Sequence, residues 1–180
     1  MQGDIARILI PRERIAQRVG ELAVDIGRTY AGDVDAGLTL VTILSGSLIF
    51  LADLIRCLPL RMKIGLITVS SYQGTKPMSA SILQQINTDV AGRHVLVVDD
   101  ILDTGGTLRL VREQLEAGRP RSIRTCVLLR KPSKAPPDVP ADFVGFDIDD
   151  VFVVGYGLDY NDHYRNLPDI AVLRDELYSS

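Results

Sequence analysis

Within nine positions the chain carries Asp99, Asp100, Asp103, Thr104, Gly105, Gly106 and Thr107. Carboxylates accept protons, hold sugar hydroxyls and bind hard cations. Glycines let a ligand come close to the backbone. At the start of a helix, free N–H groups and the positive dipole end attract an anion. The run therefore describes a phosphate cradle with two carboxylates beside it, suited to ribose hydroxyls or to a metal-bound anion.

A strand, a loop and a helix must position that run. Val95 to Val98 form a short apolar, β-branched stretch like a buried parallel strand, with the acid pair at its C-terminal end. Leu108, Val111 and Leu115 recur at helical spacing, and Gly118 offers a C-cap. Ligands of open α/β sheets bind beyond the carboxyl ends of the strands. A solvated turn, or the acid pair of a receiver domain, is the plainer alternative. The Thr-Gly-Gly-Thr helix start asks for an anion more than a turn does.

Leu38 to Ile55 is almost continuously apolar, but Thr42, Ser45, Gly46, Ser47 and Asp53 interrupt it. A buried strand (Thr39 to Leu44), a tight turn and a helix (Ser47 to Cys57) are expected there rather than a membrane span. The Ser45-Gly46-Ser47 turn offers either N–H groups to an anion or a helix cap. Ile15, Val19, Leu22, Ile26 and Tyr30 form one stripe of a helix from Arg12 to Tyr30. Further strands are expected at Met62 to Ser71, Ser81 to Ile86, Ser122 to Leu129 and Phe152 to Val154. A polar loop follows Ser70, and a proline-rich loop runs from Lys131 to Pro140.

With 180 residues, 46% apolar and 24% charged, the chain reads as one ordinary globular domain. Net charge −3 and a pI near 5.4 leave no bulk basic footprint for nucleic acid. Cys57 and Cys126 lie far apart in apolar contexts and form no metal-type spacing, which points to a reduced, cytoplasmic protein. Asp4 and Arg7 argue against a signal peptide.

VLVVDDILDTGGTL, residues 95–108, resembles the phosphoribosyl-pyrophosphate motif of type I phosphoribosyltransferases. DFVGF, VFVVGYGLDYN and the later Arg165 resemble the purine-binding end of the hypoxanthine-guanine members. Ser71 and Tyr72 match the Ser-Tyr pair of that family's mobile lid. The likeness runs from Thr39 onward. It implies an α/β fold: a mostly parallel twisted sheet with helices on both faces, plus a small hood. Residues 1–180 would be a single domain, with its core at about 12–131. The hood would come largely from 132–180, open to an N-terminal contribution.

The implied reaction moves 5-phosphoribose from phosphoribosyl pyrophosphate to N9 of hypoxanthine or guanine, a purine-salvage step. Asp99 and Asp100 match the acids at the ribose edge and the metal. Asp103, Thr104, Gly105, Gly106 and Thr107 match the 5′-phosphate loop, and Asp103 also matches the family's proposed general base at purine N7. Ser45 and Gly46 match the pyrophosphate loop, although many relatives carry Lys or Arg where this chain has Ser45. Arg165 and Asp159 match residues at the pyrophosphate and metal end, with Asp159 also bordering the purine. Phe152 matches the ring that stacks on the base, Val153 lends backbone groups, and Lys131 matches the donor to purine O6. An ammonium has no acceptor to offer, so adenine should be rejected by about 10⁴. Mg²⁺ is implied as the cofactor, arriving with the substrate, because no His/Cys cluster has the spacing of a built-in site. Homodimers and homotetramers are common in the family. A relative that binds RNA and senses nucleotides is the alternative, but it would want a basic face.

Overall fold

A computed structural model describes residues 2–70, 81–84 and 88–177. In chain order the strands are β1 (Ile5–Ile10), β2 (Leu38–Leu44), β3 (Met62–Ser70), β4 (Ser81–Gln84), β5 (His94–Leu102), β6 (Ser122–Arg130), β7 (Phe143–Asp147), β8 (Val153–Val154) and β9 (Ile170–Leu173). The helices are α1 (Arg12–Tyr30), α2 (Leu48–Cys57) and α3 (Gly106–Ala117). The main sheet has the order β4-β3-β2-β5-β6-β7, parallel except for the β3–β4 pair. β1, β9 and β8 form a small antiparallel sheet.

The apolar runs are continuous because the central strands are covered on both faces. Leu40, Leu96, Val98, Cys126 and Leu128 pack with α1 and α2. Val41, Ile43, Val95, Val97 and Val127 pack with Leu108, Val111 and Leu115 of α3. The predicted stripe of α1, Ile15 to Tyr30 at helical spacing, is buried.

β2 leads through α2 to β3 on one side of the sheet, and β5 leads through α3 to β6 on the other. The order therefore reverses between β2 and β5, where α/β sheets bind ligands. Pairing of these two strands stops at Thr42 and Val98. β2 continues against β3 to Leu44, and β5 continues against β6 to Leu102. A crevice opens between the departing strands. This moves the acid pair inward from its expected place at the C-terminal end of the strand. Asp99 and Asp100 lie inside β5, because β6 still pairs with it after β2 has left.

The small sheet draws on both ends of the described chain. It takes 5–10 from the N-terminal side and 153–154 and 170–173 from the other. The expected core-to-hood boundary at 132 comes too early, because β7 joins the main sheet and covers the edge that β6 would otherwise expose. Arg12 donates from its backbone N–H to Asp169 at 2.8 Å and pairs with it through its guanidinium. Tyr164 donates to Asp4 at 3.0 Å. These links tie the hood's two sources together. Ser71 and Tyr72, the expected lid pair, lie outside the described residues. Among the described residues no helix is long and apolar enough to cross a membrane.

Candidate active site

The loop after β5 is built to present backbone. Gly105 sits just before α3 with φ 75°, a left-handed conformation that favours glycine. A Cβ there would meet Pro136 Cγ at 3.0 Å and Val139 Cγ2 at 3.1 Å, so the 131–140 loop braces it from behind. A Cβ on Gly106 would meet nothing within 4 Å. Gly106 and Thr104 are exposed, and no side chain caps the first turn of α3. The first turn of α3 is left uncapped at the edge of a cleft, as an anion cradle requires.

Asp99 is buried in the crevice at 6% exposure, with Asp100 beside it. Burial, reinforced by the charge of Asp100, pushes the Asp99 carboxyl well above the usual carboxylate range. Burial raises Asp100 too, but its hydrogen bond with Asp99, the Ile101 N–H at 2.8 Å and the charge of Arg165 oppose the rise. Two acids so close share protons, with Asp99 the better holder. Ser45, Gly46 and Ser47 turn opposite them. The Leu44–Ser45 peptide is cis. A Cβ on Gly46 would overlap Asp100 Oδ2, and one on Gly157 would overlap the Gly46 carbonyl. Glycine thus lets three segments meet at the floor of the crevice. The Ser47 hydroxyl is not a helix cap. It is buried against the Thr42 hydroxyl at 2.7 Å and the Ile43 carbonyl.

The hood supplies the other wall. Lys131 is 7% exposed, and its ammonium donates to Asp150 at 3.0 Å and lies 3.4 Å from Asp103. Its backbone N–H bonds the Leu102 carbonyl, which fixes it beside the end of β5. Phe152 packs edge-on against Tyr160, with ring centres 5.6 Å apart. Val153 is buried and pairs with Val172 of β9. Arg165 pairs with Asp159 and Asp162, each at 2.9 Å, and donates to the Gly157 carbonyl. Tyr156 donates to Asp53 of α2 at 2.7 Å, so this hood loop is tied to the helix that follows the Ser45 turn.

Every predicted site residue except Ser71 and Tyr72 lines one cleft of about 1250 Å³. The cradle of 103–107 borders one part of it, and Lys131, Phe152 and Val153 another. Sequence reasoning missed Lys134, Asp150 and Asp162, which also line it. The signal for Lys134 was its spacing from Lys131 in Lys-Pro-Ser-Lys. The Lys134 and Ala135 N–H groups both bond the Lys131 carbonyl, and the resulting turn keeps the two lysines together. Asp150 stood in an acidic loop that reads as solvated, so only tertiary packing reveals it.

Comparison with known proteins agrees with this geometry. The phosphoribosyl transferase domain model matches residues 9–161. A hypoxanthine-guanine phosphoribosyltransferase from Mycobacterium avium is 41% identical, over 98% of this chain and 89% of that protein. A hypoxanthine phosphoribosyltransferase from Salmonella typhimurium is 42% identical, over 94% of this chain and 97% of that protein. The crystal structure of a hypoxanthine phosphoribosyltransferase from Staphylococcus aureus superposes with a TM-score of 0.92 at 37% identity, covering 100% of this chain and 97% of that one. By these identities over nearly the whole chain, it belongs to the hypoxanthine-guanine phosphoribosyltransferase family.

Proposed function

We propose that this enzyme transfers 5-phosphoribose from phosphoribosyl pyrophosphate to N9 of hypoxanthine or guanine, giving IMP or GMP and pyrophosphate. It would do so in purine salvage, in the cytoplasm, as a homodimer or homotetramer. One observation carries the reading: an anion cradle and a buried ammonium share one cleft, with the carboxylate of Asp103 at the start of the cradle and 3.4 Å from that ammonium.

In this reading the backbone of 104–107 holds the 5′-phosphate, and Ser45, Gly46 and Arg165 receive the pyrophosphate. Phe152 stacks on the purine, Val153 lends backbone groups, and Lys131 donates to O6. C1′ loses its bond to a pyrophosphate oxygen and gains one to N9. The purine gives up the proton on N7, and Asp103 takes it. The state between is cationic at the ribose, so water must be kept out.

The donor set fits a magnesium ion that brings its own oxygen ligands. Mg²⁺ binds through one or two carboxylates together with substrate phosphates. Among the described residues no three acids, histidines or cysteines come together. Asp99 and Asp100 nevertheless form a buried acid pair that a nearby cation would let ionise. They would hold the ion at the ribose, with Asp159 at the pyrophosphate end. Bound there, Mg²⁺ neutralises charge on the leaving group.

The test is pyrophosphate release with hypoxanthine, guanine, xanthine, adenine and uracil. Turnover with hypoxanthine or guanine, at least about 10²-fold faster than with adenine or uracil, is expected. Turnover confined to uracil, or none with any base, would refute the reading.

A further inference from the structure

Asp150 and Lys134 line the cleft but have no part in the chemistry above. Asp150 Oδ1 takes both lysines: Lys131 Nζ at 3.0 Å and Lys134 Nζ at 2.8 Å. The same ammoniums flank Asp103 at longer range, Lys131 3.4 Å from Oδ2 and Lys134 4.0 Å from Oδ1. Asp103 Oδ1 is buried and receives no hydrogen bond. A buried carboxylate oxygen beside two ammoniums is ordinarily hydrogen-bonded. Here both cations turn to Asp150 instead. The Lys131–Ala135 turn carries the two lysines together, and the bend closed by the Val151 N–H to the Asp149 carbonyl brings Asp150 to them.

We propose that Asp150 is a positioning residue that holds Lys134 and Lys131 off Asp103. This rests on the reading of Asp103 as the proton acceptor. A carboxylate clamped by an ammonium is a weaker base, because the charged form is stabilised. Lys134 is half exposed, with a flexible stem, and sits one short movement from Asp103. Without the Asp150 charge it closes on Asp103 and ties up the acceptor. Asp150 also keeps Lys131 aligned for O6, which couples reading of the base to readiness of the proton acceptor.

The experiment compares single-turnover rates of IMP formation for the parent, Asp150→Asn, Lys134→Gln and the double variant. Asp150 is partly exposed, so the isosteric change leaves the fold in place. Asp150→Asn should slow the chemical step about tenfold while KM for phosphoribosyl pyrophosphate stays within about twofold. Adding Lys134→Gln should recover most of that loss, and so should Asp150→Glu, which restores the charge. An unaffected Asp150→Asn, or a double variant as slow as the single, overturns the proposal. Asp103→Asn, run in parallel, should keep phosphoribosyl pyrophosphate binding and lose about 10²–10⁴ in rate. If it does not, the reading of Asp103 fails. If it does and the double variant still shows no recovery, the role of Asp150 fails alone.

Discussion

Replacing Lys131 by Met should remove most of the discrimination between hypoxanthine and adenine. Lys131 is buried, so its ammonium depends on partners rather than water. A 6-oxopurine offers O6 as an acceptor, and a hydrogen bond to a charged group contributes about 1.5–3 kcal/mol. Adenine offers an amino group, which leaves a buried donor unmatched at a cost of about 1–3 kcal/mol. Asp150 and Asp103 lie 3.0 and 3.4 Å from the ammonium, so the adenine penalty falls on one N–H rather than on the whole ion. At about 1.4 kcal/mol per factor of ten, the sum gives a preference of roughly 10²–10⁴. In Lys131→Met, hypoxanthine kcat/KM should fall by about 10- to 100-fold and the ratio should shrink to within about tenfold. The assay is nucleotide formation from each base at saturating phosphoribosyl pyrophosphate. The ratio is the readout because any effect of losing Lys131 on Asp103 burdens both bases alike. A variant that keeps the parent's ratio would move discrimination to the backbone near Val153 and refute this account.

The two loop glycines should fail differently. Gly105→Ala forces a side chain into a left-handed position against Pro136 and Val139, and should cost about 1–3 kcal/mol of stability in chemical denaturation. A Cβ at Gly106 meets no protein atom within 4 Å, so Gly106→Val should melt close to the parent yet lose affinity for both phosphoribosyl pyrophosphate and IMP by calorimetry; normal affinity would place the phosphate elsewhere. Asp99 and Asp100 titrate above their ordinary value of 3.8 in the folded chain, so folding binds protons, and stability falls as pH rises through and beyond that value. Asp99→Asn should therefore raise the melting temperature at pH 7 more than at pH 3, while lowering activity; an equal shift at both would contradict the burial argument. Excess chelator should abolish turnover and added Mg²⁺ restore it, from a protein nearly metal-free by elemental analysis; full turnover in chelator would remove the metal from the scheme.

The legible parts of the chain were those where one physical rule acts alone. α1 announced itself by a stripe at helical spacing, and β2, β5 and β6 by runs with no polar face. The 103–107 loop was legible because an acid, two threonines and two glycines before a helical pattern have few other uses. β7 was harder, because it is half-buried at a sheet edge and has no pattern of its own. The exact end of β5 depends on how far β6 goes on pairing after β2 has left, which no residue in β5 encodes. Lys131 could be read from its neighbour Pro132 and the family likeness. Asp150 could not, because its partners come from a loop 16 to 19 positions away.

The small sheet has a consequence in time. β1 is made early in synthesis but pairs with β9, whose first residue lies 160 positions after the last of β1. Parallel pairing among β2, β3, β5, β6 and β7 needs nothing beyond residue 147. The main sheet and its phosphate cradle can thus assemble on the ribosome while β1 waits unpaired, since domains begin to form as the chain emerges. The hood wall that carries Phe152 and Val153 is completed only when 170–173 arrive to join β1 to β8. A chain stalled before that point would hold the cradle and Lys131 with the rest of the cleft still open.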